Sequence, residues 1–198
     1  MNASLRDLAR RLEAAARSEH VTLGILAVVV GGLAGGGAIA FRYAIDAAQL
    51  TFFLNAGALA EVARALPFWH VLLAPTLGGL LIGILCVHVL PGPQPQGVAQ
   101  VIAANALRNG RISTRQGLAA ALVNALAIGA GGSVGREGPI VHVGASLASL
   151  VARRLGLGAN LARTLLGCGV AAAVAAAFNA PIAGVFFALE VVIGHYAL

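Results

Sequence analysis

Two long apolar segments stand out in the first half of the chain, at residues 21–41 and 68–90. Each has about the ~20 residues that a helix needs to cross a bilayer. The first contains clustered glycines, which suit close packing of helices in a membrane. The second begins with Trp69 and His70, as is typical of a membrane–water interface. The pattern predicts two transmembrane helices, joined by a semi-polar stretch that runs to Pro67.

Residues 1–20 show a different pattern, in which leucines recur at helical spacing with arginines between them. An apolar stripe opposite a basic face is typical of a helix that lies on a membrane surface. Basic segments that flank a span favour the cytoplasmic side. This segment is therefore predicted to be a cytoplasmic amphipathic helix.

Beyond residue 90 the apolar segments are shorter, and glycine, proline or asparagine separates them. Helices of about twelve to fifteen residues are predicted at residues 97–108, 117–130, 139–151, 165–178 and 181–193. Such helices are too short to cross a bilayer, and their broken ends must be covered by protein. We therefore predict re-entrant helices. That arrangement would place Arg153, Arg154 and Arg163 on the opposite side from the arginines at 108–115.

Composition supports an integral membrane protein, because only 10% of the residues are charged and 59% are hydrophobic, whereas soluble domains have about 25% charged residues. The net charge of +6 is concentrated at the ends of apolar segments, so it indicates membrane topology and not binding to nucleic acid. Cys86 and Cys168 lie in apolar runs and are interpreted as small buried side chains. No metal site or cofactor is predicted.

The glycine cluster at residues 131–139 reads Gly-Gly-Ser-Val-Gly-Arg-Glu-Gly-Pro and places an adjacent Arg136–Glu137 pair between two apolar segments. Charges at membrane depth are costly, so they indicate a functional site. Pro139 suits the first position of a helix. Glu137 is therefore predicted just before a helix whose free N–H groups could bind an anion.

These residues resemble the CLC family of chloride channels and proton-coupled chloride transporters. Residues 135–139 match its Gly-Arg-Glu-Gly-Pro motif residue for residue, and residues 167–192 are similar to its segment around Ala-Ala-Ala-Phe-Asn-Ala-Pro. The resemblance implies an all-α polytopic membrane protein with tilted, short re-entrant helices, one half of an inverted-repeat fold. It assigns residues 21–198 to the N-terminal half of the transmembrane domain, with the second half missing.

The resemblance implies a chloride channel or transporter in which Glu137 is the gate. A carboxylate at an anion site competes with chloride for the same N–H groups, and protonation weakens that competition. The anion site implied in this chain comprises Gln96, Gly97, Gly135, Arg136 and Gly138. Gln96 replaces the serine of the family's central motif. An amide can also donate to an anion but is bulkier, so the preferred anion is left open.

A second departure from the family concerns proton coupling. Transporters in the family often have an internal proton-relay glutamate directly after the position of Glu190, where this chain has Val191. Glu190 itself is interpreted either as a structural acid or as a residue of a proton path. A proton-coupled antiporter therefore stays an alternative to a channel.

The resemblance also implies partners. They are chloride or another small anion, membrane lipid, the missing second half and a second copy of the protein, which would meet at residues 181–193. A multi-pass location in a bacterial-type inner membrane is expected.

Two other classes stay open from the residues alone. Gly131-x-Ser133-x-Gly135 fits the nucleophile pattern of serine hydrolases, although a helix and not a strand is predicted before it, so we do not predict an enzyme. A half-domain without transport of its own is the other alternative. His142 is predicted to be a packed helix residue and not a ligand.

Overall fold

The computed structural model describes residues 19–55, 57, 59–89 and 97–194, and all regular structure in these ranges is helical. The predicted amphipathic helix up to residue 18, and Gln96, lie outside the described residues. In chain order the helices are α1 (Glu19–Phe53), α2 (Leu59–Ala65), α3 (Phe68–Val89), α4 (Val98–Leu107), α5 (Thr114–Gly129), α6 (Glu137–Arg154), α7 (Ala159–Phe178) and α8 (Pro181–Phe187). A π-helical segment, Ala188–Ile193, continues α8.

Three helices are long and apolar enough to cross a membrane, as judged by length and composition: Val21–Phe53, Phe68–His88 and Ala159–Phe178. The span predicted at residues 68–90 is confirmed over its described part. The end predicted for the first span at residue 41 is wrong, because α1 continues for 35 residues to Phe53. Its last turns pack against the end of α5, where a Cβ atom at Gly129 would overlap the Cβ of Ala48.

Two of the helices predicted to be short are also longer than expected. Helix α7 begins at Ala159 and not at Leu165, and α6 runs for 18 residues from Glu137 to Arg154. Helix α7 is therefore long enough to span. About 44% of its apolar window is buried, against 11% for the span in α3, so α7 lies at the centre and α3 at the edge.

The centre of the fold is the crossing of α6 and α7, with α1 and α8 packed against α7. Glycines bring the two backbones together: a Cβ atom at Gly144 would overlap the carbonyl oxygen of Gly169, and one at Gly169 would lie 2.5 Å from the carbonyl oxygen of Gly144. Around this crossing Val141, Ala145 and Val170 are buried in one apolar cluster. Small residues thus replace the large side chains that fill soluble cores.

The two groups of arginines lie at the same end of the molecule, so the re-entrant prediction of opposite sides is wrong. Arg153, at the end of α6, donates to the carbonyl oxygen of Ile112 and, over 2.8 Å, to the hydroxyl of Thr114. Arg163, near the start of α7, donates to the side-chain oxygen of Asn109 over 2.9 Å. Helices α5 and α6 therefore form an antiparallel pair that leaves this end and returns to it.

Candidate functional site

The loop at residues 130–136, which joins α5 to α6, is shaped by glycines. Gly131 has φ +91°, a conformation that L side chains rarely adopt. A Cβ atom at Gly132 would lie 2.7 Å from the carbonyl oxygen of Ala127, so only glycine allows the chain to reverse its direction at this position. The loop from Gly132 to Arg136 is exposed.

Helix α6 begins at Glu137, with Arg136 as its N-cap and no hydrogen bond from the cap side chain. The sequence predicted Pro139 as the first helical residue, but it is the third. The first N–H groups of a helix have no acceptor within it. At this end the Glu137 and Gly138 N–H groups are left open, since Pro139 has none and Ile140 donates to the Arg136 carbonyl oxygen over 3.3 Å.

The start of α4 meets the start of α6. A Cβ atom at Gly138 would lie 3.6 Å from the Cα of Gly97, the N-cap of α4. Gly97 likewise provides no side-chain cap, so the N–H groups of Val98 and Ala99 have no acceptor within the helix. Two positive helix ends thus converge, an arrangement suited to an anion. We call Gly97, Glu137 and Gly138 the helix-end junction.

Other helix starts show what is distinctive here. In α5 the hydroxyl of Ser113 accepts from the N–H of Gln116 over 3.5 Å and caps the helix. Helices α7 and α8 lack a side-chain cap as well. The helix-end junction therefore differs less by a missing cap than by the meeting of two uncapped starts.

The Glu137 carboxylate folds back over the loop. Its Oε2 would lie 2.9 Å from a Cβ atom at Gly135, so the absence of a side chain there provides the space that the carboxylate occupies. Glu137 and Arg136 are both exposed, which differs from a buried ion pair between them. The carboxylate is thus accessible at the start of the helix.

Glu190 is not part of the helix-end junction. It lies exposed on the π-helical segment, whose Val192 is buried against α4. The side chain of Asn105 in α4 is buried and donates to the carbonyl oxygen of Val192 over 3.0 Å. Sequence reasoning missed Asn105, although an amide within an apolar run could have signalled it. Val191 lines a cavity of about 570 Å³ beside Asn105.

His142 is buried, with 2% of its surface exposed, and packs in α6 as predicted. Its Nδ1 would lie 3.2 Å from a Cβ atom at Gly117 in α5. Ser133 is exposed in the loop after a helix, and no hydrogen bond joins it to a histidine in the described ranges. This geometry lacks the base that a serine nucleophile requires. Within the residues that the structure describes, no three His, Cys, Asp or Glu side chains are grouped for a metal ion.

Comparison with protein families matches residues 78–198 to the family described as voltage gated chloride channel. A relative from Ralstonia nicotianae, named as a ClcB-like chloride channel protein, is 40% identical over 163 residues, which cover 79% of this chain and 37% of the relative. The voltage-gated ClC-type chloride channel ClcB of Escherichia coli is 34% identical over 176 residues, which cover 88% of this chain and 42% of the relative.

Among solved structures, the crystal structure of a eukaryotic CLC transporter matches with a TM-score of 0.68 and 22% identity. The match covers 90% of this chain and 34% of that chain. At this identity the likeness establishes a shared fold. The chain spans about two-fifths of the length of the curated relatives it matches, since the matched shares are 37% and 42%.

Proposed function

We propose a role in anion movement on the premise that this chain belongs to the voltage gated chloride channel family, as its sequence predicted. The chain is a multi-pass integral membrane protein with an all-helical fold. Its proposed function is to form part of a pathway for chloride or another small anion, without enzymatic activity. A bacterial-type inner membrane is the proposed location.

The single observation that supports this function most is the helix-end junction. Chloride needs hydrogen-bond donors and positive potential without a competing fixed anion. The open N–H groups at the starts of α4 and α6 supply the donors, and the two helix dipoles supply the potential. Gly97, Gly135, Arg136 and Gly138 would line the anion site. Gln96, directly before Gly97, is the proposed further ligand, through its amide N–H₂.

Glu137 is the proposed gate. When charged, its carboxylate would compete with chloride for the N–H groups at the start of α6, and protonation would remove that competition. The fold of the side chain over Gly135 supports this role, because it places the carboxylate against the exposed loop that leads into the start of α6.

Proton coupling is proposed to be weak or absent. Val191 has no ionisable group, and the exposed Glu190 lies on the π-helical segment outside the helix-end junction. Passive anion movement is therefore favoured over proton-coupled antiport. Uphill proton movement driven by a chloride gradient, in a fixed ratio to the chloride moved, would favour the antiporter instead.

The pathway is proposed to need more protein than this chain. Residues 1–20, of which the last two belong to α1, are proposed as a cytoplasmic amphipathic helix, and residues 21–198 as the N-terminal half of the transmembrane domain. The open backbone at the helix-end junction would be costly in lipid, so a second half would cover it. A second copy is proposed to pack against α8, where Ile182, Val185 and Phe186 are exposed.

The test is chloride efflux from liposomes. One set holds the chain alone, and the other holds the chain co-produced with a segment that covers the remaining length of its relatives. We expect selective anion efflux from the second set and little from the first. If the pair conducts no anion, the proposal is wrong and the non-transporting half-domain is favoured. Ser133→Ala should leave efflux unchanged, whereas a serine hydrolase would lose its hydrolytic activity.

A further inference from the structure

Six arginines gather at the end of the molecule where α4, α6 and α7 have their connections. We call this set the arginine face, and it consists of Arg108, Arg111, Arg115, Arg153, Arg154 and Arg163. The hydrogen bonds of Arg153 to the α4–α5 connection and of Arg163 to Asn109 place the group together. The start of α1 lies at the same end, since Leu23 and Leu26 pack against the buried cluster that includes Ala152 and Ala162.

The arginines of the arginine face outnumber the acidic residues near them. Among the described residues, two acidic residues lie towards this end: Glu19, which begins α1, and Glu190, whose neighbour Val191 lines a cavity with Arg163. Glu137 lies at the other end of α6, since Arg154 is the last of the 18 residues of this helix and Glu137 is the first. The opposite end of the molecule is mixed in sign, because Arg64 is accompanied there by Glu61 in α2. With six arginines against Glu19 and Glu190, the arginine face has a net positive charge.

A cavity of about 310 Å³ opens within the arginine face, lined by Gly110, Arg111, Ser149, Arg153, Gly156 and Leu157 among others. Cavities that bind small ligands begin at about this size, ~300 Å³. The lining contains two arginines and no acidic side chain. Gly110 has φ +70°, and a Cβ atom there would lie 3.0 Å from the carbonyl oxygen of Ala162, so a glycine turn fixes the position of Arg111.

The two arginines of the cavity differ in how their donors are used. Arg153 donates to the hydroxyls of Ser149 and Thr114, over 3.1 and 2.8 Å, and to the carbonyl oxygen of Ile112. Its acceptors are all neutral, so its charge is uncompensated. Arg111 is exposed and has no side-chain hydrogen bond to any described residue. Its planar fork of donors suits two oxygens of one phosphate.

We propose that this cavity binds the phosphate of an anionic phospholipid headgroup, with Arg111 as the direct ligand and Arg153 as a fixed positive charge behind it. The lipid is favoured over a free phosphate ion by position. The cavity lies at the ends of the apolar helices α6 and α7, and the exposed Leu155 beside it would meet acyl chains. Clusters of four to eight basic residues next to a membrane span typically recognise anionic lipid.

The experiment uses the full chain in phosphatidylcholine vesicles with a trace of spin-labelled phosphatidylglycerol or spin-labelled phosphatidylcholine. Electron spin resonance gives the fraction of each lipid that the protein immobilises. We expect a clear preference for phosphatidylglycerol, and Arg111→Ala should lower its association by about fivefold. Arg64→Ala is the matched control, because it removes the same charge from an exposed site outside the arginine face and should leave the preference intact.

Two competition arms identify the source of the phosphate. Unlabelled phosphatidylglycerol should displace the labelled lipid, and inorganic phosphate should not. Displacement by inorganic phosphate would overturn the lipid and indicate a site for a free ion. Equal immobilisation of both lipids, or an equal loss in Arg64→Ala and Arg111→Ala, would overturn the proposal. Arg111→Lys keeps the charge but not the fork, and should fall between wild type and Arg111→Ala.

Discussion

The two ends of α6 differ in how far they are packed and hydrogen-bonded. At its start the chain leaves N–H groups open after an exposed glycine loop, and the Glu137 carboxylate lies beside Gly135 of that loop. From Pro139 onwards α6 is largely buried, with Gly144 packed against α7, and Arg153 ties its last turns to Ile112 and Thr114. A packed and anchored helix body can hold its unsatisfied start in place. We infer that rigidity at one end makes an anion site possible at the other.

The buried part of α6 can be tested at its crossing with α7, where we expect the largest effect on stability. Gly144→Ala would place a Cβ atom against the backbone of Gly169, which cannot move as a side chain could. We expect a loss of about 3 kcal/mol in the free energy of unfolding, measured by circular dichroism as detergent-solubilised protein unfolds in rising dodecyl sulfate.

The matched control for this substitution is Gly32→Ala in α1. A Cβ atom there meets nothing within 4 Å, and alanine is favoured over glycine within a helix by about 1 kcal/mol. We therefore expect unchanged or raised stability. Equal losses at both positions would show that the α6–α7 crossing is no tighter than the lipid-facing surface of α1.

Two adjacent arginines at the end of α6, Arg153 and Arg154, differ in whether they anchor the helix. Arg153→Ala removes hydrogen bonds to Thr114, Ser149 and the carbonyl oxygen of the buried Ile112. We expect a loss of about 2 kcal/mol in the same unfolding measurement. Arg154→Ala removes the same charge from an exposed residue, and we expect a change within about 0.5 kcal/mol. If the two variants lose the same stability, charge and not anchoring is responsible.

The open start of α6 is tested by Glu137→Gln, in the chain co-produced with the rest of a transmembrane domain. The neutral amide mimics the protonated acid and no longer competes as an anion for the N–H groups. We expect chloride flux at neutral pH to rise by about tenfold, the equivalent of ~1.4 kcal/mol. Liposome flux assays from mildly acidic to mildly basic pH provide the measurement.

The pH dependence gives this test its second criterion. In the wild-type protein flux should rise as the pH falls, because protonation of Glu137 removes its charge. In Glu137→Gln the flux should be nearly independent of pH. A pH dependence that is the same in both proteins would contradict the gate.

Local sequence signals predicted the elements whose ends are set by local chemistry. The helix predicted from residue 181 does start at Pro181, with Ala180 as its N-cap, and the interfacial aromatic pair marked the start of α3. The end of α1 could not be predicted in this way. Arg42 and Asp46 resemble the polar end of a span, but the helix continues because Ala48 and Phe53 pack against the glycines that end α5.

The start of α7 and the arginine face depended on long-range contacts too. Arg163 looks like a loop residue in sequence, yet it lies within α7 and donates to Asn109 near the end of α4. The motif predicted a glycine loop and a charged pair before a helix. The approach of Gly97 to Gly138 joins residues 41 positions apart, and only the family resemblance grouped them. The π-helical segment had no sequence signal that we recognised.

The smallest effect is expected next to the gate, at Gly135. A Cβ atom at this position would lie 2.9 Å from Oε2 of Glu137. Because the contact is with the end of a flexible side chain, Gly135→Ala should displace the carboxylate at little cost in stability. Its charge stays, so competition for the N–H groups is weakened and not abolished. We expect chloride flux to rise by about threefold, less than in Glu137→Gln. The double variant should match Glu137→Gln alone, since alanine can act only through the carboxylate; additive effects would show that Gly135 shapes the pathway directly.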